Sequence, residues 1–474
     1  MAQLQESILE NRTFDEICVG ETASLSRVLT RADIDLFATV SGDINPAHID
    51  AAFAEHDIFG RVIAHGMWGG GLISVVLGTI LPGPGTIYLS QTLHFHRPVS
   101  IGDIITATVT AREKREQRAI IVFDCTCTNQ KGDKVISGTA EVIAPKEKAS
   151  CLRTELPDIL IRRHDRYHAI LEAAQKLPKL TMAIVHPCDD HVIVAAIEAA
   201  EAGLIDPIFV GPEKEIRAAA KAAKLSVDPF RLETTSDAQA SAMRAVELIQ
   251  AGTAQALMKG SLHTDQLMHA VLRDEAGLKT DRRISHVYAM DVPTYPKPLL
   301  VTDAAINIAP TLAEKRDICQ NAIDLFHLLG NLKPKVAILS AVETVDPHIP
   351  STIDAAALTM MAKRGQITGA IVEGPLAFDN AIDPQAVRLK GINSIIGGEA
   401  DILVVPNLEA GNILVKQFLH LSDADAAGLV LGTKVPIILT SRSDTVRVRL
   451  ASVALAVITA ARSGFRLKSP KQKK

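Results

Sequence analysis

After about residue 165 the chain settles into one rhythm: a short aliphatic run, a polar turn, a helical stretch. Residues 181–185 read as a buried strand and 189–202 as a helix. Residues 204–210 form the next strand, closed by Gly211-Pro212 ahead of another helix. Further aliphatic strands are expected at 254–258, 336–339, 370–372, 402–405 and 435–439. Runs that are apolar throughout, rather than alternating, belong to strands buried on both faces, and the helices between them cross over to the next parallel strand. Aromatic residues make up only 4% of the chain, so aliphatic side chains must build this core. The second half is therefore expected to be an α/β domain with a mostly parallel sheet. It is large enough for two subdomains with a cleft between them.

The first half keeps a different period. Residues 103–109, 119–128 and 134–142 alternate apolar and polar, and Lys131-Gly132-Asp133 is a hairpin turn between the last two. Such strands pair antiparallel. A chain of 474 residues is too long for one core. The expected division is a first domain at 1–150, a polar linker at 151–164 and a second domain at 165–474.

Composition removes several function classes. The net charge of −4 gives no general attraction to nucleic acid. The six cysteines, Cys18, Cys125, Cys127, Cys151, Cys188 and Cys319, form neither a disulfide framework nor paired zinc spacing. His94 and His96 share a strand face but find no third ligand nearby in sequence. No metal and no cofactor are expected. The amino terminus lacks a basic region followed by an apolar core, and the apolar stretch 450–461 is too short to span a bilayer. A cytoplasmic, reduced protein with no membrane partner is the expectation.

The first domain carries Ser41-Gly42-Asp43-Ile44-Asn45-Pro46-Ala47-His48. Pro46 fixes its own φ and pushes Asn45 out of the α region, so Asp43 and His48 are set across a turn. A carboxylate and an imidazole so placed can share one water molecule, one group taking its proton and the other managing proton delivery to carbon. Next comes Ala64-His65-Gly66-Met67-Trp68-Gly69-Gly70-Gly71-Leu72-Ile73-Ser74, a glycine-rich entry into an apolar helix. The first N–H groups of a helix have no internal acceptor and can hold an oxygen as it gains charge. These segments, continued by residues 81–88 and Phe95-His96-Arg97-Pro98-Val99, resemble the MaoC-like, R-specific enoyl-CoA hydratase family over roughly the first 145 residues. The resemblance implies a hot-dog fold, a central helix wrapped by a curved antiparallel sheet. It also implies Asp43 and His48 as the catalytic pair, Asn45 orienting the loop, Gly66 N–H polarising the thioester carbonyl and Ser74 beside the thioester.

In the second domain three loops follow strand ends, where open α/β sheets bind ligands. Lys259-Gly260-Ser261 offers backbone N–H groups, a hydroxyl and a positive charge to a phosphate. Gly411-Asn412 with Lys416 allows close approach to a ligand and puts Asn412 and Lys416 on one helical face. The third is Ser441-Arg442-Ser443-Asp444. Arg442 can grip a phosphoryl group with two parallel bonds, Ser441 can donate to a neighbouring oxygen, and Asp444 can orient the arginine or take a thiol proton.

Their order, with Thr302-Asp303-Ala304-Ala305-Ile306-Asn307, Leu339-Ser340-Ala341-Val342-Glu343 and Glu373-Gly374-Pro375-Leu376 between them, resembles the phosphate acetyltransferase and phosphate butyryltransferase family. That resemblance spans nearly all of residues 165–465. It implies acyl transfer between coenzyme A and inorganic phosphate without a metal. It puts Arg442 and Ser441 on the acyl phosphate, with Thr264, Asn412 and Lys416 in or near the same cleft. Two departures stand out. Val446-Arg447-Val448 occupies the place of an acid in the acetyltransferase branch, and His269 that of an arginine.

Together the halves resemble bifunctional enoyl-CoA hydratase/phosphate acetyltransferases. Enoyl-CoA, acyl-CoA and inorganic phosphate are the expected partners, and a homo-oligomer is expected. The alternative is that one half alone is active, the other serving dimerisation or CoA-ligand binding.

Overall fold

A computed structural model describes residues 8–154, 159, 165–439 and 444–463. The chain divides into two units, residues 1–162 and 163–474.

In the first unit the strands are β1 (Ile8–Glu10), β2 (Thr22–Val28), β3 (Ile87–Gln91), β4 (His94–Phe95), β5 (Ile104–Arg115), β6 (Ile120–Thr128), β7 (Lys134–Ile143) and β8 (Ser150–Leu152). The main sheet runs β2-β5-β6-β7-β3, with β4 also on β7, and every pairing is antiparallel. Alternation is clean on β5, where Ile105, Ala107, Val109 and Ala111 are buried. They face the Gly66–Thr79 helix, whose Trp68, Leu72, Ile73, Val76 and Leu77 complete the core. This is the hot-dog arrangement.

The expected linker starts too early. Cys151 and Leu152 pair with Leu9 and Ile8 in the small β1–β8 sheet. Asn11 holds the approach to it: its Nδ2 donates to Glu147 O, and its Oδ1 accepts from Ala149 N. The pairing partner of Cys151 and Leu152 lies some 140 residues earlier, so local sequence does not show the strand.

The second unit contains β9 (Leu180–Val185), β10 (Ile205–Gly211), β11 (Arg231–Thr234), β12 (Ala256–Lys259), β13 (Ser285–Asp291), β14 (Leu299–Thr302), β15 (Lys335–Leu339), β16 (Ile371–Leu376), β17 (Ile402–Val404), β18 (Asp425–Leu431) and β19 (Ile437–Ile438). They form one 11-stranded sheet in the order β11-β10-β9-β12-β19-β18-β13-β14-β17-β15-β16. The steps β19–β18, β18–β13 and β13–β14 are antiparallel; all others are parallel. Three reversals leave the two parallel halves running in opposite directions.

The two expected subdomains thus share one sheet. Their separation appears in the packing. On one face Met182, Ile184, Met258, Val287, Leu300, Ile402 and Val336 belong to a single core along the sheet. On the other face the core breaks in two, around Ala183, Leu257 and Ile437 on one side and Val301, Leu403 and Ala337 on the other. At the break lie His286 and Tyr288 of β13, ring centroids 4.4 Å apart, over Gly428 of β18.

Candidate active sites

In the first unit Asn45 is the N-cap of the short Pro46–Ile49 helix, its side chain accepting from Ala47 N at 3.1 Å. Asp43 Oδ1 accepts from Asn45 N at 3.2 Å. The turn therefore holds itself by local bonds, and Asn45 orients it as a cap. His48 Nδ1 donates to Ile63 O at 2.9 Å. A carbonyl can only accept, so the neutral ring carries its proton on Nδ1 and leaves the Nε2 lone pair bare.

His65 joins this pair. Its Nε2 donates to the Asp43 carbonyl at 3.0 Å and its ring stacks on His48 with centroids 4.0 Å apart. Donor groups of Asp43, His48 and His65 lie within 4.8 Å of one another. The sequence placed His65 ahead of the helix without a role. The available signal was its N-cap position without a capping hydroxyl.

His48, His65, Gly66, Phe59, Trp68 and Phe95 line a cleft of about 280 Å³. Gly66 opens the Gly66–Thr79 helix, so its N–H has no intrahelical acceptor. A Cβ on Gly66 would stand 2.8 Å from the Phe95 ring, which explains the glycine at the cleft wall. Ser74 does not join this site. It is exposed, on the face of the helix away from Leu72, Ile73, Val76 and Leu77, and outside the cleft lining. Helical spacing separates it from the buried stripe.

In the second unit the Lys259–Gly260–Ser261 loop is not the open anion cradle that its sequence suggests. Gly260 N donates to Val185 O at 2.8 Å and Ser261 N to His186 O at 2.9 Å. Ser261 Oγ donates to Asp189 Oδ2 at 2.6 Å. Lys259 is buried, its Nζ bonded to Gly260 O and Leu262 O, each at 3.3 Å. Gly260 is required by packing: a Cβ would come within 2.5 Å of both Val185 O and His186 O. The two backbone donors of the loop bond to Val185 of β9 and to His186 just beyond it.

Asp189 then links three elements. It caps the Asp190–Glu201 helix through Val192 N, holds Ser261, and faces Arg449. Arg449 is 2% exposed, the largest fully buried side chain among the described residues. Burial pulls its pKa down, opposed by the Asp189 and Asp444 carboxylates, and its Nε donates to Asp444 O at 3.4 Å. Arg449 lies just beyond the Val446-Arg447-Val448 segment noted above. A single arginine on the buried stripe of the Val446–Arg462 helix was the signal that could have found it.

Across the break, Gly411 lets the Leu408–Leu421 helix approach Ala304, where a Cβ would meet Ala304 Cα at 3.0 Å. Asn412 Nδ2 reaches Ala304 O at 3.4 Å, a long bond, and Lys416 is exposed. The Asp303 loop is held by local bonds: Asp303 accepts from Ala305 N, Ile306 N and Asn307 N at 2.9, 3.0 and 3.1 Å. Burial nonetheless holds its carboxyl above the usual range. Burial, then the Asp444 and Asp303 carboxylates, push the Tyr288 hydroxyl upward, so Tyr288 feels loops from both halves of the sheet. His286 beside it is fully buried, and burial pushes its pKa down to about 3. Thr264 begins the Thr264–Leu272 helix, half-buried, after His263. Ser441 and Arg442 lie outside the described residues.

Among the described residues, no helix is long and apolar enough to cross a membrane. The folded chain nonetheless brings potential metal-ligating side chains together that sequence spacing does not pair. Two groups come together, Asp43/His48/His65 and His186/Cys188/Glu215, because residues far apart in sequence or set around tight turns converge.

Residues 233–457 match the family described as phosphate acetyl/butaryl transferase, and residues 19–131 match the MaoC like domain. The chain is 57% identical over 297 residues to the phosphate acetyltransferase of Rhizobium meliloti, covering 63% of this chain and 94% of that one. It is 37% identical to the phosphate butyryltransferase of Clostridium acetobutylicum, covering 60% of this chain and 95% of that one. Among solved structures, a branched-chain phosphotransacylase from Enterococcus faecalis is 33% identical, with TM-score 0.54, covering 60% of this chain and 99% of that one. This chain belongs to the phosphate acetyl/butyryl transferase family, with a MaoC-like domain preceding the transferase unit.

Proposed function

We propose that the second unit transfers an acyl group between coenzyme A and inorganic phosphate. The observation that carries this reading is the 57% identity to a phosphate acetyltransferase along 94% of that enzyme's length. In the synthetic direction a phosphate oxygen attacks the thioester carbonyl, the C–S bond breaks, and the leaving sulfur takes a proton. Arg442 would bind the phosphoryl oxygens, Ser441 would donate to the acyl oxygen, and Asp444, beside buried Arg449, would exchange the thiol proton. The acyl group is acetyl or butyryl; the relatives include both kinds of enzyme.

The first unit, on this proposal, hydrates trans-2-enoyl-CoA to (R)-3-hydroxyacyl-CoA. The MaoC-like match and the bare Nε2 of His48 in the cleft support it. His48 and Asp43 would hold one water between them. Its oxygen bonds to the β carbon, the double-bond electrons move toward the thioester, and a proton is delivered to the α carbon. Gly66 N–H would stabilise the thioester oxygen while it carries charge.

The test uses the full chain. Phosphate-dependent release of CoA is measured over acyl-CoAs from acetyl to octanoyl, and loss of the enoyl thioester chromophore is followed with crotonyl-CoA. No phosphate-dependent release with any acyl-CoA would overturn the transferase reading. An inert crotonyl-CoA would overturn the hydratase reading and leave the first unit as a binding or dimerisation module.

A further inference from the structure

We propose that His186, Cys188 and Glu215 form a metal site for zinc or a zinc-like divalent ion, apart from the acyl-transfer chemistry. Their nitrogen, sulfur and oxygen donors lie within 4.8 Å of one another. Metal–ligand bonds of about 2.0–2.3 Å in a tetrahedral site set donors roughly 3.5 Å apart. Closure of about an ångström is therefore needed. Glu215, exposed in the first turn of the Glu213–Ala222 helix, can supply it by rotating.

The ligand geometry is built by the backbone. Cys188 N donates to His186 O at 2.9 Å, a tight turn that brings the two side chains to one side. His186 has φ of 55°, a left-handed conformation uncommon for a residue with a side chain, and it lies at the end of β9. Its tautomer is also set. Ser241, fully buried, donates its hydroxyl proton to Asp237 O at 2.6 Å and so faces His186 Nδ1, 3.3 Å away, as an acceptor. The ring proton is then on Nδ1, leaving Nε2 as the nitrogen for a metal. A histidine ligand oriented by a hydrogen bond from its other nitrogen is the usual arrangement at such sites.

The donor set decides which metal. A thiolate excludes magnesium and calcium, which take oxygen ligands, and favours zinc or cobalt with an imidazole and a carboxylate. Three protein ligands leave a fourth position for water. Binding replaces the Cys188 S–H bond by a metal–sulfur bond and releases one proton to solvent. The site adjoins the transferase unit's β12 loop: Ser261 N bonds to His186 O, and Cys188 N to Ser261 Oγ at 3.2 Å. An ion here would brace that loop from behind.

The test is cobalt(II) titration of the full chain under reducing conditions, read by absorbance. A cobalt–thiolate bond gives an intense near-ultraviolet charge-transfer band. The Asp43/His48/His65 group has no sulfur and cannot produce it. Expected are a saturable band, its displacement by zinc, and its survival in Cys18→Ser and Cys151→Ser, the exposed thiols. Cys188→Ser should abolish it. Glu215→Gln should weaken binding at least tenfold, as should His186→Asn, chosen because asparagine tolerates the left-handed backbone. Circular dichroism confirms that each variant is folded. No band in the wild-type chain at millimolar cobalt, or a band that survives Cys188→Ser, overturns the proposal.

Discussion

Gly260→Ala places one methyl group where the β9 and β12 backbones meet. The new Cβ would stand 2.5 Å from Val185 O and from His186 O. Carbon–oxygen contacts relax near about 3.3 Å, so the loop must retreat by roughly 0.8 Å. Backbone oxygens of a central strand cannot swing aside as a side chain could. The retreat stretches two bonds now at 2.8 and 2.9 Å, Gly260 N to Val185 O and Ser261 N to His186 O. Each contributes about 0.5–1.5 kcal/mol, and strain from overpacking adds about 1–3 kcal/mol. The sum is a destabilisation of about 2–6 kcal/mol in the second unit. The single tryptophan, Trp68, belongs to the first unit, so its fluorescence reports that unit alone. Urea unfolding followed by far-ultraviolet circular dichroism should show the loss, while the Trp68 transition stays in place. Acyl transfer should fall with it. An unchanged circular dichroism midpoint and unchanged transfer would refute the claim that Gly260 is required by packing.

His48→Ala and Asp43→Asn should each lower crotonyl-CoA hydration by about 10²–10⁴-fold and leave acyl transfer unchanged; activity within a few-fold of wild type would remove them from the mechanism. Ser74→Ala should keep hydration within about twofold, far below that range, because the hydroxyl is exposed and outside the cleft. Arg449→Met removes a buried cation facing the Asp189 and Asp444 carboxylates and should cost about 3–5 kcal/mol in the second unit, read by urea unfolding. Arg442→Ala should cut acyl transfer at least about thirtyfold, Arg442→Lys should restore little, and hydration should be untouched in both.

The aliphatic strands were legible because burial on both faces leaves its mark on every residue of a strand. The alternation in β5, β6 and β7 was legible for the same reason, one face at a time. The direction of backbone donors leaves no such mark. Lys259-Gly260-Ser261 has the composition of an anion loop, yet whether its N–H groups face a ligand or β9 depends on a strand some seventy residues earlier. Arg449 and His65 were obscured in the opposite way. Each is one polar residue in apolar surroundings, and its meaning comes from a partner brought in by the fold, Asp189 in one case and the Asp43 carbonyl in the other. The two-subdomain expectation captured the divided core on one face and missed the sheet that crosses it. Spacing cannot reveal three reversals of strand direction.

The placement of β19 bears on how this chain is made. Among the described residues it is the last strand in chain order, yet it lies inside the sheet, between β12 and β18. While the chain emerges from a ribosome, β12 therefore presents an unpaired edge until residues 437–438 appear, with nearly the whole second unit already made. Parallel pairing across such a separation is slow, and an open aliphatic edge invites pairing with another chain. Nascent chains stalled before residue 437 should accordingly bind a chaperone that recognises exposed apolar strands, and the full chain, with β19 paired, should not.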